Sequence, residues 1–258
     1  MTPEHSADGG VHVQTNGPVA TVTLDRPDRL NCQTPATWRS LAAIGAGLDP
    51  GVRVVVLRGE GRAFSAGLDR SLFTADPGVA GGLAAMAIGT DGDIADRIAG
   101  FQAAFSWLTT GSAISIAAVQ GHAIGAGLQL ALACDLRVLS ADAMLTMVEP
   151  SLGLVPDLTG TWPLVRAVGY SRALEICATG RRVAASEAAA LGLATAVVPA
   201  AELAGAVQDL VAALLAVPPH SLAATKQLLL GAVDRTREAQ LEAERLAQVS
   251  MLRVLGSR

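Results

Sequence analysis

Two stretches of the chain are spaced to offer backbone amides rather than reactive side chains. Gly121 to Gln129 reads GHAIGAGLQ, with three glycines at spacings of four and two. An apolar run, Ile114 to Val119, enters it and a small-residue helical pattern, Leu128 to Ala133, leaves it. Strand, tight turn and helix N-terminus in that order expose NH groups where negative charge can be held. Gly61 to Asp69, GRAFSAGLD, follows a buried-looking strand, Val52 to Arg58, and has the same character. Two such turns facing each other make a two-donor oxyanion hole. The rest of the chain then has to hold them at the right distance.

The elements that do so can be read in order. Residues 1 to 10 read as a disordered tail. Val11 to Thr15, an Asn16-Gly17 turn and the alternating Ala20 to Leu24 form a hairpin signal. Thr34 before Pro35 caps a helix whose stripe is Trp38, Leu41, Ile44 and Leu48, stopping at Asp49-Pro50-Gly51. Residues 74 to 92, rich in Gly, Ala and Asp, carry no pattern and read as a mobile lid near the site. A helix spans about Asp93 to Thr109; after the central turn come a helix over 126–134 and short strands at Leu136–Leu139 and Met144–Met147. Glu149 to Gly160, EPSLGLVPDLTG, is too rich in Pro, Gly and Asp to be regular. Helices follow near 161–167, 171–178 and 185–190, then a strand at Thr195–Val198. From Ala201 the chain is helical over 201–215, 221–231 and 236–254. The first 140 residues repeat strand, strand, helix, which suggests a coiled stack of such units in an α/β fold.

Composition narrows the function classes. With 258 residues, 51 % of them apolar, the chain can bury a large core. A net charge of −4 without Lys/Arg runs argues against nucleic acid as a partner. No window is apolar enough for a membrane span and the N-terminus has no secretion signal, so the expected location is cytoplasmic. Cys32, Cys134 and Cys177 are odd in number and far apart, the pattern of buried free thiols rather than disulfides or a metal site. No metal or redox cofactor is implied. Trp38, Trp107 and Trp162 read as core, His122 as a core or pocket-wall residue, and His5, His12 and His220 have no partners at ligand spacing.

The AFSAG-x-D stretch, the GHAIGAG turn and the later G-L-V-P-D stretch, in this order and at these distances, resemble the enoyl-CoA hydratase/isomerase (crotonase) family. The resemblance runs from about residue 11 to the C-terminus. It implies a crotonase-like spiral of ββα units over 11–200 and a C-terminal helical region, 201–258, that caps the core or packs in trimers or hexamers. It implies an acyl-CoA thioester as ligand, coenzyme A being part of the substrate. The family's oxyanion donors fall on the NH groups of Leu68 and Ala126, where many members have glycine for Ala126. Ala66, Gly67, Asp69, Gly125 and Gln129 fall on the substrate-lining positions. Arg29 and Leu30 match a stretch near the CoA, with Arg29 either meeting a phosphate or standing as a solvated loop arginine. The helix 236–254, with Leu241, Leu246, Val249 and Leu252 on one side, is either a subunit contact or an intramolecular cap.

The resemblance also shows a departure. Hydratases of this family place two glutamates around a water; here the first position is Gln129, whose amide cannot take a proton near neutral pH. The second matches Glu149, and Asp157 matches a carboxylate that dienoyl-CoA isomerases carry. Isomerisation of an enoyl-CoA needs only one poised carboxylate and an oxyanion hole, so it leads, with Glu149 as base and Asp157 as second acid or orienter. A weak hydratase in which Gln129 positions water, and a non-catalytic acyl-CoA binder, stay open. So do plainer readings: Glu149 as a cap or ion-pair carboxylate, Asp157 as the cap of a helix starting near Thr159, and Gln129 as a buried hydrogen-bonding residue.

Overall fold

The computed structural model describes residues 4–6 and 9–256. In chain order the strands and helices are β1 (Glu4–Ser6), β2 (Val11–Asn16), β3 (Val19–Leu24), α1 (Pro35–Ala46), β4 (Val54–Gly59), α2 (Leu83–Met86) and α3 (Asp91–Thr110). Then come β5 (Ile114–Val119), β6 (His122–Ile124), α4 (Ala126–Ala133), β7 (Leu136–Ser140), β8 (Met144–Thr146), α5 (Thr161–Val168) and α6 (Tyr170–Thr179). The chain ends with β9 (Arg182–Ala184), α7 (Ala185–Ala190), β10 (Ala196–Val198), α8 (Leu203–Ala216), α9 (Pro219–Gly231) and α10 (Arg237–Gly256).

The strands form two sheets, one of seven in the order β1-β2-β3-β4-β5-β7-β10 and one of three in the order β6-β8-β9. β1–β2 and β2–β3 are antiparallel; from β3 onward the large sheet is parallel. Each of the pairs β5/β6 and β7/β8 places its first strand in the large sheet and its second in the small one, ahead of a helix. Repetition of that step winds the expected ββα spiral.

The unbroken apolar runs of the central strands have a direct cause. Alternate residues face opposite sides of a strand. Val55 and Leu57 of β4, Ala117 and Val119 of β5 and Leu139 of β7 enter the main core, which also holds Phe64, Phe105 and all of α4's Leu128 to Cys134 except Gln129. Val54, Val56, Ile116, Ala118 and Val138 enter a second core, closed by Leu203 and Val207 of α8. The first C-terminal helix is therefore a layer of the fold. α9 is pinned to the body by Lys226, which is buried and donates to the carbonyls of Leu108 and Ala113 and to Asp135 Oδ2 at 2.8 Å.

Local signals act where the sequence places them. Thr34 and Thr37 form a reciprocal capping box with Pro35 in the first turn of α1, and Trp38 of that helix packs on Phe101 and Phe105 of α3. α3 starts at Asp91, because Thr90 and Asp93 make a second box. The hairpin turn falls on Gly17 and Pro18, one residue later than the Asn16-Gly17 signal, with Gly17 at φ +54°.

Three expectations are corrected, and the 74–92 stretch gains a short element the sequence did not show. Part of the tail, Glu4 to Ser6, pairs with β2; residues 1–3 and 7–8 lie outside the described residues. The 74–92 stretch contains the short helix α2, held by Arg97, which donates to the carbonyls of Met86 and Ile88. Glu149 to Leu152 form a 3-10 turn at the head of the irregular loop. Trp162 is 46 % exposed, with the Arg166 guanidinium 3.9 Å over its ring. Of the thiols, Cys32 and Cys134 are buried and Cys177 is half-buried, all unpaired. Leu241, Leu246, Val249 and Leu252 of α10 are all exposed, so they do not cap this chain's own core.

Candidate active site

The two glycine turns do face each other, and backbone bonds set their register. Phe64 NH donates to Gln120 O, Ser65 NH to His122 O at 2.9 Å, and Ile124 NH to Ser65 O at 3.0 Å. The 61–69 loop thus runs beside β6 as an extra strand reduced to one bridge, Ser65 with Ala123. Close approach demands glycine here. A Cβ on Gly67, at φ +82°, would lie 2.4 Å from Ile124 O; one on Gly127 would lie 2.4 Å from Ser65 O.

This packing leaves the Leu68 and Ala126 amides outside the ladder and the helix's internal bonds. Gln33 NH donates to Gly67 O and Asp69 NH to Gln33 O, so the ladder uses the residues either side of Leu68 and turns the Leu68 NH away from Gln33. Ala126 opens α4 directly after Gly125 (φ 51°, ψ −120°), and its NH is one of the helix's unpaired first-turn donors. The virtual Cβ of Gly67 sits 3.4 Å from Ala126 N, which places the two turns at van der Waals distance. Ala126 is helical and buried, so its methyl group fits the turn without conflict.

Glu149 stands against the same turn. Gly125 NH donates to Thr146 O, drawing the end of β8 alongside, and a Cβ on Gly125 would lie 3.1 Å from Glu149 Oε1. The Glu149 side chain is buried, and Gln129 Nε2 donates to its Oε1 at 2.7 Å. Oε2 is buried too and has no hydrogen-bond partner among the described residues. Burial pushes the Glu149 pKa up; the Gln129 bond opposes this and the nearby Asp157 charge adds to it. Gln129, fully buried, accepts at Oε1 from the NH groups of Leu158 (2.8 Å) and Gly160 (3.2 Å). Between those donors Thr159 is held at φ +69°, a rare conformation for a β-branched residue.

Asp157 is close enough to Glu149 for their charges to interact, and burial raises its pKa as well. It does not cap a helix: α5 begins at Thr161 with Gly160 at the N-cap and no side-chain cap bond. Gln102 Nε2 donates to the Asp157 carbonyl at 2.7 Å and ties this loop to α3. Glu149 has no ion pair among the described residues, which leaves the plain salt-bridge reading without support.

Asp69 has a different place. It is 3 % exposed, and both carboxylate oxygens are engaged: by Arg29 at 3.1 and 3.2 Å, Arg26, the Ser71 NH and hydroxyl, and the Cys32 thiol. Asp69 is thereby a strut joining the 26–33 segment to the first glycine turn. Arg29 is neither free nor merely solvated, since its guanidinium is half-exposed and committed to Asp69. Ala66 NH donates to Leu30 O, and Leu30 and Asn31 both adopt left-handed backbone. The polar frame beneath was not singled out from sequence. Asn31 Nδ2 donates to Glu60 O and Ala63 O, Ser65 Oγ donates to Asn31 O, Gln33 Nε2 donates to Ser65 Oγ and Trp38 Nε1 donates to Gln33 Oε1. The signal available was a run of Asn, Gln and Thr just before a capped helix.

The sequence profile of the family described as Enoyl-CoA hydratase/isomerase matches residues 14–255. The chain belongs to this family. A Thermobifida fusca family structure solved in complex with CoA is 48 % identical and superposes with a TM-score of 0.92, over 98 % of this chain and 96 % of that one. A second T. fusca structure, in complex with acetoacetyl-CoA, is 49 % identical with a TM-score of 0.89, over 95 % and 96 % of the two chains. Among named relatives, the (E)-benzylidenesuccinyl-CoA hydratase of Thauera aromatica is 32 % identical, covering 84 % of this chain and 80 % of its own. The crotonase fold implied by the resemblance is the one observed.

Proposed function

We propose that the protein is an enzyme acting on enoyl-CoA thioesters, and that it moves the double bond between carbons 3 and 2. The observation that carries this is the pairing of Gln129 with Glu149 at 2.7 Å: one proton-transfer group stands where a hydratase places two. In this reading the thioester oxygen lies between the NH groups of Leu68 and Ala126, which stabilise the charge that builds on it, each by roughly 3–4 kcal/mol. Glu149 removes a proton from carbon 2 and returns one to carbon 4. Its raised pKa suits it to both halves of that exchange near neutral pH. Asp157 serves as a second acid or orienter of the reacting end.

Hydration is the second reading, favoured by the hydratase name of the Thauera relative. It requires Asp157 to manage the water in place of the missing glutamate. Product analysis by NMR decides between them. Purified protein offered 2- and 3-enoyl-CoA esters of several lengths should give double-bond migration without a 3-hydroxyacyl product. A 3-hydroxyacyl-CoA product would overturn the isomerase reading, and tight binding with no product from any ester would make the protein a binder.

A further inference from the structure

The hydrogen bonds around Gln129 decide more than where Glu149 sits. Leu158 NH and Gly160 NH both point at one atom of the Gln129 amide, with Thr159 strained between them. An atom that receives two NH donors is the oxygen, so the amide has only one possible orientation and its NH2 faces Glu149. An NH2 group donates and does not accept. A carbonyl oxygen accepts better than a hydroxyl oxygen, so the bond to Glu149 Oε1 at 2.7 Å favours Oε1 as the carbonyl of the acid form and Oε2 as the oxygen that carries the proton. Oε2 exposes less than 1 Å² and has no partner among the described residues through which a proton could leave.

From this geometry we infer that Gln129 is a positioning residue that confines the transferable proton of Glu149 to Oε2, out of exchange with water. The inference rests on the isomerase reading for its chemical consequence. Glu149 Oε2 takes the proton from carbon 2 of a 3-enoyl thioester; the C–H electron pair becomes the bond between carbons 1 and 2 as the carbonyl π pair moves onto the thioester oxygen, which gives a dienolate. The dienolate then collapses, carbon 4 takes that same proton from Oε2, and carbons 2 and 3 become the double bond. The acyl group must displace the cover of Oε2 and takes its place. The oxygen thus passes from protein contact to substrate contact without meeting bulk water. The glutamine that replaces a hydratase carboxylate is, on this account, the device that keeps the proton on the substrate.

The test uses a 3-enoyl-CoA deuterated at carbon 2 and turned over in ordinary water. The wild-type product should carry most of the transferred deuterium at carbon 4. Gln129→Met keeps an unbranched side chain of similar length but removes the donor to Oε1 and the acceptor for two NH groups, which draws water to the carboxylate. Its product should lose the label. The fraction of label kept per turnover does not depend on how much of the variant folds, so a purely structural role would not move it. Equal retention or equal loss in the two proteins overturns the inference and leaves isomerisation standing. If wild-type protein moves no double bond, the isomerase reading fails and the bond is read without turnover. An infrared pH titration would follow the Glu149 carboxyl band, identified by its loss in Glu149→Gln, with Asp157 and Cys177 as its titrating neighbours. A higher midpoint in Gln129→Met supports the lock, because a donor to the ionised form has been removed. An unchanged midpoint overturns it.

Discussion

Asp69 and Glu149 are two buried carboxylates at either side of the same pair of glycine turns, and they end in opposite states. Asp69 is 3 % exposed and Glu149 8 %, so exposure does not separate them. Burial by itself raises both. Around Asp69 the Ser71 hydroxyl and NH, the Cys32 thiol and the arginines outweigh burial and bring the carboxyl down to about 2. Around Glu149 burial prevails over the backbone NH groups of Glu149 and Val148 and the Gln129 amide, and the value rises. Several donors hold Asp69 ionised as a strut, whereas burial dominates around Glu149.

The largest effect should come from removing the base. Glu149→Gln is expected to lower turnover by roughly 10²–10⁴-fold while CoA-thioester affinity stays near wild type, measured by steady-state kinetics and calorimetric titration. The same change should stabilise the fold as pH rises. The folded pKa of Glu149 lies above its ordinary 4.5, so ionisation costs stability, a cost absent below 4.5 and complete above the folded value. Relative to wild type, the variant's Tm should therefore rise across that window. A Tm difference that is flat with pH would mean that Glu149 is not held near its neutral form.

Next in size is Gly67→Ala, which strikes the first glycine turn from the strut side. At φ +82°, with a Cβ 2.4 Å from Ile124 O, alanine must push the two turns apart. Strain alone costs about 1–3 kcal/mol, and the displaced Leu68 NH should lower kcat more than it raises KM. Full activity in a folded variant would show that the turns do not act together. The smallest effect on rate belongs to Asp69→Asn. It should remove about 1–3 kcal/mol of stability at pH 7 while leaving most of the turnover number. Because the folded value is lowered, Asp69 stabilises the protein above its ordinary 3.8, and that contribution is lost as pH falls toward about 2. Acid unfolding of the asparagine variant should lack this component; identical acid curves would rule out the strut.

The sequence carried the turns well because glycine at φ > 0 and close approach leave no alternative residue. Contact distances exclude a side chain at Gly67 and Gly127, and Gly125 sits at φ +51°, where side chains are strained. The caps at Thr34 and the buried strand β4 were legible for similar reasons: each is a local rule with a local cause. What stayed hidden was long-range. β6 and β9 are three-residue strands, too short for a periodic signal, and they exist because the spiral brings β8 between them. The role of Asp69 could not be read because its partners Arg26 and Arg29 lie about 40 positions earlier in the chain. Trp162 misled because a helical apolar stripe says that a face exists without saying what covers it. At position 129, glutamine announced a lost carboxylate; that its orientation is fixed by Leu158 and Gly160 required the fold.

The central claim is that the two turns form one site with Glu149 against it. A crystal structure of Glu149→Gln with a bound 3-enoyl-CoA tests this most directly. The account predicts the thioester oxygen about 2.7–3.1 Å from both the Leu68 and Ala126 nitrogens, with carbons 2 and 4 facing the residue at position 149. A thioester oxygen held by other groups, or an acyl chain directed away from residue 149, would contradict it.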